Sequence, residues 1–319
     1  MLMPTKEQKR VLITGAAGQI GTELTIALRE RLGNENVIGM GHRTKAPKEL
    51  EKGPFIYGNI NDLENYEKII DEYEIDTVYH LAAILSVTGE KNPQLCYDVN
   101  LNGLYNILEV ARKREQRLFC PSSIAVFGND EETGEVVLKP TTMYGVTKVA
   151  GELLCDYYYR KYAVDVRGIR YPGLISWKTE PGGGTTDYAV AIYYEAIRNK
   201  KYECFVRADT RLPMMYMSDA IKGTLDLMDA PLENLNQHSD YNLSSMSFTA
   251  NELAKSIAKR IDGFECTYVP DNRQEIADSW PDEIDDSTSR NDWGWKPAYD
   301  LERMTEDMLG NLEIKLKEE

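Results

Sequence analysis

Residues 11–21 read VLITGAAGQIG, and this stretch narrows the possible folds more than any other in the chain. A short apolar run ends in Gly15, Gly18 and Gly21 follow, and Ile20, Leu24, Ala27 and Leu28 then recur at helical spacing over residues 20–31. Strand, tight turn and helix in immediate succession are the setting of a phosphate-binding loop. Gly15 permits the turn, Gly18 lets backbone approach a pyrophosphate, and Gly21 lets the helix lie against the strand, with the helix N-terminus facing the phosphates. Gln19 and Ile20, at the helix start, join the glycines as expected cofactor contacts.

The alternation continues along the chain. Strand-like runs at NVIGM (36–40), FIYG (55–58), TVYHLAA (77–83), RLFCPSS (117–123) and VDVRGIRYP (164–172) are separated by helical patterns over 61–73, 94–114 and 144–162. This predicts an α/β fold, a Rossmann-type doubly wound parallel sheet covered on both faces with right-handed crossovers. After Pro172 the rhythm changes. A glycine-rich loop, SWKTEPGGGTTD, precedes a helix over 188–199 and strand-like pieces near 202–206 and 214–217. TANE (249–252) reads as a capping box, 277–295 as a polar, turn-rich stretch, and a helix from about 301 closes the chain. Residues 1–175 are therefore read as a nucleotide-binding domain. Residues 176–319 form a smaller C-terminal α/β substrate lobe over the sheet's C-terminal edge, with segments returning to the first domain.

Charge and cysteine usage limit the partners. With 37 basic against 52 acidic residues the net charge is −15, which argues against nucleic acid or an anionic membrane and for a small-molecule ligand. No apolar run approaches a membrane span, and MLMPTKEQKR has no signal-peptide core. The five cysteines and three histidines are scattered, which suits reduced thiols in the cytoplasm and offers no metal site.

One expected part is absent. The carboxylate that usually follows the second strand and binds the adenosine ribose is replaced by Gly41, in GMGHRTK, with Arg43 two residues on. Arg43 is an expected cofactor contact that can meet a 2′-phosphate, so NAD is the expected cofactor with NADP left open. Further along, Tyr144 and Lys148 lie one helical turn apart on a common face. A tyrosine with a pKa of about 10 is a poor base at neutral pH, but a neighbouring ammonium favours its phenolate. RLFCPSS delivers Ser122 and Ser123 to the sheet's C-terminal edge, where α/β sheets bind ligands. Either hydroxyl can steady a substrate oxygen. Ser122 equally reads as a strand-end hydroxyl bonded to backbone, so Ser123 ranks first.

TGAAGQIG, HLAA, PSSIAVFG and YGVTK together resemble the extended short-chain dehydrogenase/reductase family, which includes sugar-nucleotide epimerases and dehydratases. The resemblance implies a catalytic trio of Ser123, Tyr144 and Lys148. It also implies cofactor contacts from Asn59, Leu81, Ala82, Ala83, Asn100, Tyr144, Lys148 and Tyr171. AAILSVTGEKNP, RYPGLISWKTEPGGGTTDYAV, TRLPMMYMSDA and IADSWPDEIDDSTSRNDWGW resemble the branch of that family that oxidises L-threonine at C3. That likeness implies a substrate pocket of Ser86, Ser122, Tyr144, Thr186, Asp187 and Trp280. Asp187 is either the partner of the substrate ammonium or the cap of the following helix, and Trp280 is expected to pack its loop more than touch substrate. The alternative is an NAD-dependent sugar-nucleotide epimerase or dehydratase with the same trio. The resemblance further implies a homodimer through the helices over 94–114 and 144–162. Gly182 to Gly184 read as a hinge for loop closure.

Overall fold

The computed structural model describes residues 8–129, 133, 135–182 and 184–318. The start of the chain and the middle of the expected glycine hinge, Gly183, lie outside the described residues. Strands β1 (Val11–Thr14), β2 (Val37–Gly41), β3 (Phe55–Tyr57), β4 (Thr77–His80) and β5 (Arg117–Phe119) form one parallel sheet in the order β3-β2-β1-β4-β5, closed by Val166–Arg167. Alternate strand residues feed two different cores. Leu12, Ile38, Val78, Leu118 and Val166 pack on one face, against α2 (Leu63–Glu72), α5 (Gly103–Arg114) and α6 (Met143–Tyr162). Val11, Ile13, Val37, Tyr79 and Phe119 pack on the other, against α1 (Gln19–Leu32) and α8 (Met217–Asp229). A sheet covered on both faces explains why its strands read as continuous apolar runs.

Two expected strands are each broken in two. RLFCPSS gives β5 and then the short strand Ser122–Ser123, and VDVRGIRYP gives Val166–Arg167 and Ile169–Tyr171. Pro121 has no N–H for the ladder. At Gly168 the backbones pass so closely that a Cβ would lie 2.4 Å from the Cys120 carbonyl oxygen and 2.7 Å from that of Ser239. Beyond the break the chains re-pair as a second parallel sheet, Tyr241–Asn242, Ile169–Tyr171 and Ser122–Ser123. This offset carries the two serines out past the main sheet's C-terminal edge.

The helix expected over 94–114 is also interrupted. α3 (Ser86–Lys91) and α4 (Pro93–Tyr97) run into a π-helical turn, Asp98–Asn102, before α5 begins. Inside that turn the buried Asn100 side chain accepts from Ile84 N at 2.7 Å and donates to the Ile84 carbonyl at 3.0 Å and Thr147 Oγ1 at 3.1 Å. Bonds of this kind hold the extra residue in place.

The later part has a core of its own, in which Tyr188, Tyr193, Tyr216, Phe248, Leu253, Met304, Met308 and Leu312 meet. It is built on α7 (Tyr188–Asn199), on a mixed sheet of Gly173–Ile175, Arg211–Tyr216 and Met246–Thr249, and on the closing helix Leu301–Glu318. The capping box forms as expected: Thr249 Oγ1 accepts from Glu252 N at 3.1 Å, and Glu252 accepts from Thr249 N at 2.7 Å. The stretch 277–295 is more ordered than its polar sequence suggests. It contains the helix Ser287–Trp293, because Trp295 is buried and its indole N–H reaches Asp286 at 3.0 Å, drawing the segment inward.

Candidate active site

The glycine loop meets the requirements of close approach. Gly15 has φ of +70°, and a Cβ on it would lie 2.8 Å from Leu81 C and Ala82 N. A Cβ on Gly21 would lie 2.2 Å from the Gly15 carbonyl oxygen. Only residues without side chains let β1, the turn and α1 nest this tightly. Gly18 stands at the N-cap of α1 with no side chain over the first turn, leaving the helix N-terminus open toward the loop.

Two cavities meet at this loop and share Gly15, Gly18, Leu81 and Ala83 in their walls. The outer one runs past Gly41, His42, Arg43, Thr44, Asn59 and Ala82. The inner one holds Gln19, Ile20, Gly21, Ser86, Ser122, Ser123, Tyr144, Lys148, Tyr171, Thr186, Asp187 and Trp280. A trough in two parts, with bare backbone where they meet, fits a dinucleotide, and each expected site residue but one lines it. Asn100 is the exception: spent on Ile84 and Thr147, it fixes the loop after β4 from behind.

Helix α6 supplies the tyrosine and lysine. Thr142 caps it, accepting from Gly145 N at 3.1 Å, so Tyr144 falls in the first turn. Lys148 Nζ stands 5.6 Å from the Tyr144 ring centre and donates to the Pro121 carbonyl at 2.7 Å. The ammonium is thus anchored to the segment that carries the serines. One turn later Glu152, buried, accepts from Ser122 Oγ at 2.5 Å and from Arg170 Nε and Nη2 at 2.8 and 2.6 Å. Ser122 is therefore committed to a buried ion pair. Among the described residues Ser123 Oγ accepts only from Ala125 N, at 3.2 Å, and keeps its proton for a ligand.

Sequence reasoning did not find Glu152 and Arg170. A carboxylate four residues after Lys148 was a visible signal, but its partner lies 18 residues further along. His80 was also missed. It sits at the end of β4 with Nδ1 2.9 Å from Thr14 Oγ1, and burial, then the Lys148 charge, push its pKa down to about 3.

The opposite wall comes from the loop before α7. Gly173 lets Thr186 approach, since a Cβ on it would lie 2.8 Å from Thr186 Cγ2. Asp187 makes no side-chain cap to α7 and instead accepts from Gly184 N at 2.7 Å, closing its own turn. Trp280 lines the cleft while packing on the later core. Tyr171 contributes its ring, and its hydroxyl is engaged with Thr224. Leu85, Pro121, Ala125, Pro172, Leu174, Gly184 and Thr185 complete the cleft. Among the described residues no group of histidine, cysteine and carboxylate side chains is arranged to hold a metal, and no helix is long and apolar enough to cross a membrane.

A glycine loop opening a dinucleotide-sized trough, with tyrosine and lysine one turn apart at its inner end, defines a nicotinamide-dependent enzyme of the short-chain dehydrogenase type. The chain matches the profile of the NAD dependent epimerase/dehydratase family over residues 11–244 and belongs to that family. Within it the chain is similar to L-threonine 3-dehydrogenases. The mitochondrial enzyme of Bos taurus is 46% identical over 95% of this chain and 82% of its own length. A monomeric L-threonine 3-dehydrogenase from a metagenome, solved in its apo form, is 57% identical, with a TM-score of 0.90 over 96% of this chain and 99% of that one. The L-threonine dehydrogenase of Clostridium difficile is 46% identical, with a TM-score of 0.94 over 97% and 99%.

Proposed function

We propose that this enzyme oxidises L-threonine at C3 to L-2-amino-3-oxobutyrate with NAD as acceptor, the step that leads toward glycine or aminoacetone. The observation that carries the reading is the shape of the inner cleft. Ser123, Tyr144 and Lys148 line one space with Ser86, whose helix packs on α6, and with Thr186 and Asp187 from the loop before α7. Such a pocket suits a molecule with a hydroxyl at one end and an ammonium and carboxylate at the other. Its cofactor part comes from residues 1–175 and its roof from 176–319.

Each residue then has a task. Tyr144 as phenolate takes the C3 hydroxyl proton, with Lys148 Nζ 5.6 Å from its ring centre. Ser123 donates to the same oxygen and holds it as the carbonyl forms. Asp187 faces the ammonium, and the hydroxyls of Ser86 and Thr186 receive the carboxylate. When bound, the nicotinamide ring accepts the C3 hydride. A hydride and a proton, two electrons and two protons in all, leave threonine together, the proton to Tyr144 and the hydride to the nicotinamide.

The test is cofactor reduction by purified protein offered L-threonine, with L-serine, D-threonine and a UDP-sugar alongside. Threonine-dependent reduction is expected; turnover of the UDP-sugar with none of threonine would move the assignment to the epimerase reading. The free thiols Cys96, Cys120, Cys155, Cys204 and Cys266 support a reducing cytoplasm as the place of action. Tyr105 on α5 and Val146, Leu153, Tyr157 and Tyr162 on α6 are exposed together and support a homodimer through these helices. A monomer in sedimentation at micromolar protein would remove the dimer.

A further inference from the structure

The outer end of the trough differs from the arrangement that favours NAD. There a carboxylate after the second strand binds the ribose hydroxyls and repels a 2′-phosphate. Here the strand ends in Gly41, packed under Phe55: a Cβ on it would lie 2.8 Å from Phe55 Cζ and 3.2 Å from Cε1. The wall then continues as His42, Arg43 and Thr44, all exposed. No hydrogen bond or ion pair engages the His42 or Arg43 side chain among the described residues. Within a chain of net charge −15, residues 42–48 carry Arg43, Lys45 and Lys48 and no carboxylate. One carboxylate does line this cavity, Asp98, but its oxygens already accept from Asn61 Nδ2 at 2.6 Å and Asn102 Nδ2 at 2.9 Å.

We propose that Arg43, flanked by His42 and Thr44, forms a subsite for a ribose 2′-phosphate, so that the trough takes NADP alongside NAD. This rests on reading the trough as the nicotinamide cofactor site. A phosphate monoester is a dianion near neutral pH, and a guanidinium with no competing partner meets it with paired N–H donors. The Thr44 hydroxyl adds a neutral donor. NAD, whose 2′-hydroxyl finds no carboxylate here, gains no advantage from this end of the site.

Titration calorimetry on the full chain, with NAD⁺ and NADP⁺ in turn and no substrate present, tests the subsite through binding alone. NADP⁺ is expected to bind at least as tightly as NAD⁺. R43A is expected to weaken NADP⁺ by about ten- to a hundred-fold, as for loss of a hydrogen bond between charged groups, and to weaken NAD⁺ far less. G41D, which requires the Phe55 ring to swing aside, is expected to shift preference toward NAD⁺. Binding of NAD⁺ with NADP⁺ more than ten-fold weaker would overturn the subsite and leave the cofactor reading standing. An equal effect of R43A on both dinucleotides would also overturn the subsite. Failure of the wild-type chain to bind either would overturn the cofactor reading itself.

Discussion

The two walls of the inner cleft are held in different ways. On the catalytic wall, bonds are buried or partly buried and tie elements distant in sequence: Lys148 to Pro121, Ser122 to Glu152, Glu152 to Arg170, Asn100 to Ile84. On the opposite wall, the loop before α7 combines one bond from a buried serine, Ser176 to Glu23 at 2.5 Å, with more exposed pairs: Lys178 stands 3.4 Å from the same carboxylate, and Arg198 reaches Glu180 at 3.2 Å with both side chains well exposed. Buried, satisfied networks fix geometry, whereas exposed pairs are screened and contribute little. The contrast points to a rigid floor that sets the chemistry and a more adaptable roof that receives the substrate.

The sharpest way to break this comparison is at the floor's reacting group. Tyr144→Phe is expected to lower turnover by about a hundred- to ten-thousand-fold, the span for a general base, while calorimetry still finds cofactor binding. Near-normal turnover would remove Tyr144 from its role.

The next effect is on stability. Arg170→Met leaves the Glu152 carboxylate buried without its cation, which is expected to cost about 3–5 kcal/mol in urea unfolding. Lys178→Met removes the corresponding contact of the roof, where the lysine side chain is 32% exposed, and is expected to cost less than about 1 kcal/mol. Equal losses in the two variants would erase the distinction between floor and roof.

That distinction also marks what was legible in the sequence. The glycine loop, the Tyr144–Lys148 spacing and the succession of main strands and helices along the chain depend on residues close together, and periodicity with turn chemistry sufficed; the order of the strands within the sheet rests on pairing between distant residues. The breaks at Pro121 and Gly168 depend on one backbone crossing another, and Gly168 alone does not say which carbonyl it must pass. The π turn at Asp98–Asn102 follows from a side chain reaching Ile84, which local pattern reads only as one continuous helix. Ser86, Thr186 and Trp280 came from family likeness, since a lone serine, threonine or tryptophan in a loop carries no spacing of its own. Glu152 escaped notice because its meaning lies in Ser122 and Arg170.

The roof is sharpened by Asp187→Asn. The amide oxygen can still accept from Gly184 N, which is 2.7 Å from the carboxylate, so that bond is kept while the charge is lost. The expected result is a KM for L-threonine raised about ten- to a hundred-fold, with cofactor affinity unchanged. A normal KM would restrict Asp187 to closing its own turn.

The smallest effect concerns the floor's response to acid. His80 has its pKa pushed down to about 3 by burial, with the Lys148 charge adding to it, so the native state holds the ring neutral. The unfolded chain protonates near 6.5, and between these values the unfolded state binds more protons than the native state. Stability from this residue is therefore full above about pH 6.5 and falls as pH drops below it, by about 1 kcal/mol over the first unit. Thr14 Oγ1 accepts from Ala82 N at 3.2 Å, which leaves its hydroxyl proton to point at His80 Nδ1, 2.9 Å away. His80→Asn keeps an acceptor for that proton and removes the titration. Its urea midpoint is expected to change less than wild type between pH 6.5 and 5.5, and parallel pH profiles would show that the loop after β4 takes its acid response from another group.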